Sequence, residues 1–368
     1  MLNVIQKNNN NEKILPVLFP PPIVDYLHFA HYLSIILSNS KHQNWFYANF
    51  INICYNMNAD QKLNFHMLNQ FDCQSTYFVD TYRLHNKIID ISKINIVSDI
   101  ISWIDKGYYV KIKVDSKLIP NNYMYNSEED FLLQVFIYGY NKEKNIFYTH
   151  NFDINRNYSI IEVSFDDLEK AFYSDRSRKI INNVSYMQKR EQAEDYFIVL
   201  YTLNSNIQDF YDFSFYLRKI RNSLVQYIEG VNVLTTNNEI IRLNDIMDYD
   251  ENDYHWGLNV YDGIMKKVLF DYNIYHGLFE HKSIMLKRLD LLRDKNVLKT
   301  DELSTKYIEV VDLANQLRLY CIKVMLKMQT SQNNKVMEDK IIEGLNNMKI
   351  KEKLILSNVI EGLDVYLP

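Results

Sequence analysis

The stretch LHFAHYLSIIL, Leu27 to Leu37, places apolar side chains at Leu27, Ala30, Leu33, Ile36 and Leu37, a spacing close to one helical turn. It predicts a buried helix after the proline run ending at Pro22, with Asp25 as candidate N-cap. From Asn95 to Asp115 the period changes midway. The first part reads as a helix closed by Gly107; the second reads as a half-exposed strand with Val110, Ile112 and Val114 on one face and Lys111 and Lys113 on the other. Two β-rich runs then flank the polar Asn141 to Asn145, a hairpin pattern. Ser164 and Asp167 have capping-box spacing ahead of a short helix.

Beyond about residue 190 the pattern turns helical, across the polar connection YMQKREQAEDY (Tyr186 to Tyr196), which reads as a hinge. Trp256 to Asn296 predicts two helices, and Thr330 to Lys340 a loop before the last helix. Tyr307, Val310, Val311, Ala314, Leu317, Cys321, Val324 and Met325 form a stripe with the period of a helix face. The expected organisation is a helix-plus-sheet domain over 1–190 and an all-helical domain over 191–368. No repeat of solenoid length interrupts it.

Composition narrows the function classes. The chain of 368 residues is 47% hydrophobic and 24% charged, which is room for two domains and a real core. Only 8 glycines and 6 prolines are present, so Asn, Asp and Ser must supply most turns. Net charge is −5 and the basic residues are scattered, which argues against a nucleic-acid partner. A polar, Asn-rich start and the lack of an apolar run near the roughly 20 residues of a membrane helix predict a cytoplasmic chain with no membrane partner. Cys54, Cys73 and Cys321 form no Cys-x-x-Cys pair and read as reduced thiols, with no metal or other cofactor implied.

Several segments, taken in order, carry a resemblance: DYLHFAHYLSIIL (Asp25 to Leu37), NWFYANFINI (Asn44 to Ile53), IDKGYYVKIKVDSKLIP (Ile104 to Pro120), FIYGYN (Phe136 to Asn141) and WGLNVYDGIMKKVL with HGLFEHKSIMLKRLDLL. The chain resembles proteins carrying the butirosin biosynthesis protein H N-terminal domain, a papain-like fold related to the peptidases that trim double-glycine leaders. That family occurs in gene clusters for peptide and polyketide natural products. The resemblance implies an α+β fold, a papain-like antiparallel sheet against a helix, with acyl or aminoacyl transfer by Cys, His and Asp or Asn. In such chemistry a thiolate attacks a thioester, imidazole relays the proton and a carboxylate or amide orients the imidazole.

Matched position by position, the chain departs from that pattern. Tyr26 stands where the cysteine is expected, and a phenol titrating near 10 is a poor nucleophile at neutral pH. Leu133 and Gln134, after Leu132, stand where the histidine is expected, and neither can move a proton. Asn151 matches the acid or amide, with His150 and Asp153 beside it. The resemblance thus implies a catalytically degenerate homologue in natural-product biosynthesis. Its cleft, lined by Tyr26, His28, His31, Gln134, His150 and Asn151, would bind an acyl carrier protein, a thioester-bound substrate or an active homologue. Two alternatives stand beside it. One is an active amide-forming enzyme working by positioning, with His28 or His31 as base. The other is a scaffold or homo-oligomer acting through the helical half.

Other reactive residues have plainer readings. Cys54, in FINICY, reads as buried, and Cys73 lies beside Asp72, whose charge would raise a thiol pKa. His28 and His31, with Asp25, have spacing that would suit a metal or a proton relay, but a structural role is favoured. His276 and His281 lie five apart with Glu280 between them, which is not the His-Glu-x-x-His pattern. Glu280 and Lys282 are expected in an inter-helix polar network. Tyr108, Tyr109, Tyr138 and Tyr140 read as β-formers first and as lining of an aromatic groove second.

Overall fold

The computed structural model describes residues 4–9, 11–56, 63–66, 78–85, 94–127, 132–177, 196–204, 212–232, 254–266, 268, 270–299, 301–328 and 335–367. The chain begins with β1 (Val4–Asn8), β2 (Glu12–Leu18), α1 (Leu27–Ile36), α2 (Gln43–Asn49), β3 (Asn52–Asn56), β4 (Leu63–His66) and β5 (Val79–His85). It continues through α3 (Ile96–Asp105), β6 (Tyr109–Asp115), β7 (Leu132–Asn141), β8 (Ile146–Phe152), β9 (Tyr158–Ser164), α4 (Phe165–Tyr173) and β10 (Tyr196–Leu203). The remainder is α5 (Phe213–Glu229), β11 (Tyr254–Trp256), α6 (Val260–Lys266), α7 (Tyr272–Asp294), α8 (Glu302–Met328) and α9 (Lys335–Tyr366).

These elements form two compact units: Met1–Ser40 with Phe71–Gln208, and Lys41–Gln70 with Asp209–Pro368. This division differs from the expected 1–190 and 191–368. Residues 41–70 belong with the helical unit, and β10 completes the sheet of the first. The helical region is not all-helical either, because β11 pairs with β3, and β3 with β4, in a three-stranded sheet. A three-residue strand such as Tyr254–Trp256 is too short to show a period of two, and its partner lies some two hundred residues upstream.

The first unit is a mixed α/β layer built on an eight-stranded antiparallel sheet. Its strands run β9-β8-β7-β6-β10-β5, and β2 with β1 pairs the far end of β7. Gly139 lets β2 approach, since a Cβ there would lie 2.6 Å from the Lys13 carbonyl oxygen. Cross-strand partners share a face, so Val110, Ile112 and Val114 join Leu133, Val135 and Ile137 on one side. The helices α3 and α4 belong to this side: Tyr140, paired with Phe147, donates to Asp105 of α3 at 2.6 Å, and Phe147 packs on Phe165 of α4 at 4.5 Å. Ile96, Ile100 and Ile104 from α3 and Leu168, Ala171 and Phe172 from α4 are buried. The other face meets α1, where His31 stacks on Phe136 at 4.8 Å and Tyr32 meets Tyr201 edge-on at 4.9 Å.

Local signals behave unevenly. Ser164 caps α4 as its spacing predicts, accepting from the Asp167 N–H at 3.0 Å and donating to its carboxylate at 2.6 Å. Gly107 follows α3 in the left-handed region at φ 89°, and Asn145 turns the β7–β8 hairpin at φ 54°. Asp25 is not the cap of α1; Tyr26 holds that place, with its carbonyl accepting from Phe29 and Ala30. The strand predicted half-exposed is buried throughout, because β6 is interior to the sheet and covered on both faces.

In the second unit α7 and α8 pack along each other, α9 lies on α8 and α5, and α2 packs on α5. The α8 stripe is core as predicted at Tyr307, Val310, Ala314, Leu317, Cys321 and Val324, whereas Met325 is exposed. Arg288 of α7, with no exposed surface, donates to the carbonyls of Tyr47 at 2.6 Å and Phe50 at 2.8 Å. It thereby closes the C-terminal end of α2. The hinge reading over Tyr186 to Tyr196 lies outside the described residues except at Tyr196, which opens β10, as does the first part of Thr330 to Lys340; Lys335 to Lys340 already belongs to α9.

Candidate functional site

The residues implied by the sequence gather mainly on the α1-facing side of the large sheet. The β6–β7 register sets Lys111 opposite Phe136 and Lys113 opposite Gln134, and the β7–β8 register sets Phe136 opposite His150. All five therefore share that face. His31 reaches it from α1, buried against Phe136. Tyr26, half-buried at the N-terminal end of α1, sets its ring edge-on to Phe29 at 6.2 Å. The side chain of His28 lies outside the described residues.

Gln134 and Asn151, which stand where a base and its orienting group are expected, lie on neighbouring strands, but alternation from the Phe136–His150 pair sets the Asn151 side chain on the face opposite Gln134. Asn151 donates from Nδ2 to the Gln134 carbonyl at 2.9 Å, and its Oδ1 accepts from the Phe152 N–H at 2.8 Å. Its amide thus fastens β8 to β7 and orients no side chain. Leu133 pairs with Val114 and also lies on the face opposite Gln134, buried in the apolar layer under α3 and α4.

His150 is fully buried inside a box of rings: Tyr138 at 4.3 Å, Phe19 at 4.7 Å, Tyr158 at 5.9 Å and Phe136 at 6.1 Å. Neither ring nitrogen has a hydrogen-bond partner among the described residues. Burial disfavours the charged form and pushes the imidazole pKa down to about 3, so it stays neutral at ordinary pH. Asp153, beside the site in sequence, is spent on the β8–β9 turn. The Asn157 N–H leads the bonds that hold its carboxyl below the usual range, joined by the Ser159 hydroxyl and the Asn155 N–H.

The two described thiols do not supply a nucleophile. Cys54 lies in β3 with its side chain buried, and burial raises its pKa well above the ordinary thiol value. Cys321 is a buried residue of α8, pushed up to about 12, first by burial and then by the charge of Asp271. Thiolate is the reactive form, so neither can attack a thioester at neutral pH. Cys73 lies outside the described residues.

The predicted polar network exists in the second unit, with a different membership. Lys282, wholly buried, donates to Glu352 at 3.0 Å, to the Tyr227 hydroxyl at 2.7 Å and to His281 Nδ1 at 2.9 Å. Glu352 also accepts from Tyr261 at 2.6 Å, from Tyr227 at 3.1 Å and from Tyr307. His281 donates from Nε2 to the Ile51 carbonyl at 2.7 Å. Burial is the first cause holding its pKa well below the usual imidazole range, followed by the Lys282 charge. Glu280 stands apart and faces His276 one turn away at 3.4 Å.

A cleft of about 390 Å³ opens elsewhere, lined by Asn9, Asn11, Glu12, Asn141 and Glu143. Asn141 lies seven residues along β7 from Gln134, roughly 23 Å at the rise of a strand, so this cleft is not the one that the sequence implies. Lys7 is the main cause holding the Glu12 carboxyl down at about 2, and the Tyr148 hydroxyl adds to it at 2.5 Å. Among the described residues, no group of three or more His, Cys, Asp or Glu side chains is arranged to hold a metal ion, and no helix is long and apolar enough to cross a membrane. No protein-family model and no curated protein matches this chain.

Proposed function

We propose that this chain is a papain-like protein of natural-product biosynthesis that has given up covalent acyl transfer. In this reading it binds an acyl carrier protein, a thioester-tethered acyl group or an active partner enzyme through the α1-facing side of its large sheet. The observation that carries the reading is the Asn151–Gln134 contact. The Asn151 amide, in the place of the orienting group, donates to the Gln134 backbone carbonyl on the neighbouring antiparallel strand and is thereby committed to the strand pair, with no imidazole to orient. A helix lying on that sheet through His31 and Phe136 supports the papain-like layout. The buried, neutral His150 agrees with a site that binds without reacting.

Intact-mass measurement after incubation with simple acyl thioesters, with and without an amine acceptor, tests this. The expected result is thioester binding with neither turnover of the acceptor nor an acyl group on cysteine. An adduct at Cys73 or Cys54, or amide product that requires His31, would overturn it.

A second reading, self-association through the helical unit, rests on α9, whose Ile350 and Leu354 are 70% and 66% exposed one turn apart. A dimer in light scattering that Ile350→Lys with Leu354→Lys dissolves would establish it. A monomer would remove it.

A further inference from the structure

Tyr109, Tyr140 and Tyr148 of the large sheet donate to the Pro16 carbonyl, to Asp105 and to Glu12 at 2.6, 2.6 and 2.5 Å, and Ser38, just past α1, donates to the Ile35 carbonyl at 2.7 Å. Ser34 and Tyr158 depart from this habit. Ser34 lies on α1 with no exposed surface and bonds neither to its own helix nor to any other described residue, and the buried hydroxyl of Tyr158 on β9 has no partner among them either. Ser34 is three residues from His31, so both look toward the large sheet. The β8–β9 register pairs Phe152 with Tyr158 and His150 with Ile160, which sets Tyr158 and His150 on the face that α1 covers. Their rings lie 5.9 Å apart, and Phe19 packs on both, at 5.9 Å and 4.7 Å. Burial pushes the Tyr158 phenol up, and Ser34 is near enough to offset part of that shift. The two hydroxyls are thus neighbours without a direct bond, beside an imidazole whose nitrogens are also unbonded. Native interiors satisfy such groups with ordered water where protein atoms do not. Rings at 4.3 Å and 4.7 Å from His150 keep any such partner small.

We propose that a buried water molecule is built into the first unit, bridging Ser34 of α1 to Tyr158 of β9 and giving one nitrogen of His150 its partner. The Tyr158 O–H donates to the water oxygen. The water donates one hydrogen to Ser34 Oγ and the other to the bare nitrogen of the neutral imidazole. Three partners are the usual complement of a buried water. His31 and Tyr32 already hold α1 to β7 and β10 through Phe136 and Tyr201. The water extends that attachment to β9, at the edge of the sheet. It belongs to the fold and does not depend on a thioester or a partner enzyme binding to this face.

A crystal structure of the full chain at a resolution that places ordered water tests this directly. The expected result is a water within about 2.6–3.2 Å of both Ser34 Oγ and Tyr158 Oη. Tyr158→Phe should lose that water and keep the ring packing, whereas His150→Phe leaves two of the three partners and should keep it. In urea titrations Tyr158→Phe and Ser34→Ala should each raise the unfolding constant about fivefold. The double variant should stay within about twofold of either single one, because both break the same bridge. A direct bond between Ser34 and Tyr158, or a Ser34 hydroxyl bonded back to its own helix, would overturn the proposal. So would a double variant whose effect is the product of the two single effects.

Discussion

The ammonium of Lys282 lies 3.0 Å from the carboxylate of Glu352, and neither side chain has any exposed surface. Three tyrosine hydroxyls on α5, α6 and α8 complete the carboxylate's partners, so one buried ion pair on α7 and α9 joins five helices. Removing one member leaves the other charged and unsolvated. Glu352→Gln should therefore lower stability by about 3–5 kcal/mol, read as a fall in the urea midpoint. The double variant Lys282→Met with Glu352→Leu should recover much of that loss, because an apolar pair leaves no stranded charge.

His150 makes stability fall in mild acid. Its folded pKa is about 3 against an ordinary 6.5, so below 6.5 the unfolded chain takes up a proton that the folded chain refuses. Stability drops as pH falls through that window, at about 1.4 kcal/mol per pH unit at the steepest. His150→Phe fits a box already made of rings and should flatten this acid limb in urea titrations at several pH values. It should cost little at neutral pH, since no hydrogen bond to a described residue is lost.

Thiol accessibility gives a third check. Cys54 and Cys321 are both buried, with pKa raised, so a thiol-reactive dye should modify at most one cysteine per folded chain. The other two should appear only after denaturant is added. Fast labelling of Cys54 in the native protein would contradict its placement in β3.

Gly257 offers a backbone test. It lies at φ 55°, and a Cβ there would come within 2.1 Å of the Tyr227 carbonyl oxygen. Gly257→Ala combines left-handed strain with a clash against rigid backbone. A loss of at least about 3 kcal/mol is expected by chemical denaturation. Tyr227 also bonds Glu352, so the variant should narrow the near-ultraviolet tyrosine signature of the network as well.

Elements whose cause is local were legible in the sequence. The α1 and α8 stripes, the Ser164 cap, the Gly107 stop and the β7–β8 hairpin each rest on a few neighbouring residues, and each is found. What misled was non-local. Lys111 and Lys113 look like a solvated face by alternation, but β10 and β7 flank their strand and α1 covers the face they share with Phe136. Pairing of β3 with β11 leaves no periodic trace in a three-residue strand.

At the candidate site the sequence could name Asn151 but not its partner, because its bond to the Gln134 backbone depends on strand register. Leu133 was grouped with Gln134, although alternation sends neighbouring residues to opposite faces. Glu352 left a signal that went unused: it occupies a core position in the α9 series Leu345, Met348, Ile355 and Val359. A charge inside such a stripe needs a buried partner.

The division of the chain also orders its synthesis. Strand β3, within residues 41–70, belongs to a unit whose remaining members begin at Asp209, and its partner β11 starts at Tyr254. At roughly 5–20 residues per second, β3 leaves the ribosome some 10–40 seconds before the strand that pairs with it. During that interval the apolar run Phe50 to Tyr55 has no native cover from β11 or α7. Slow translation therefore lengthens the exposure of a sticky segment, and trigger-type chaperones that hold nascent chains should raise the soluble yield more than a gain in final stability would.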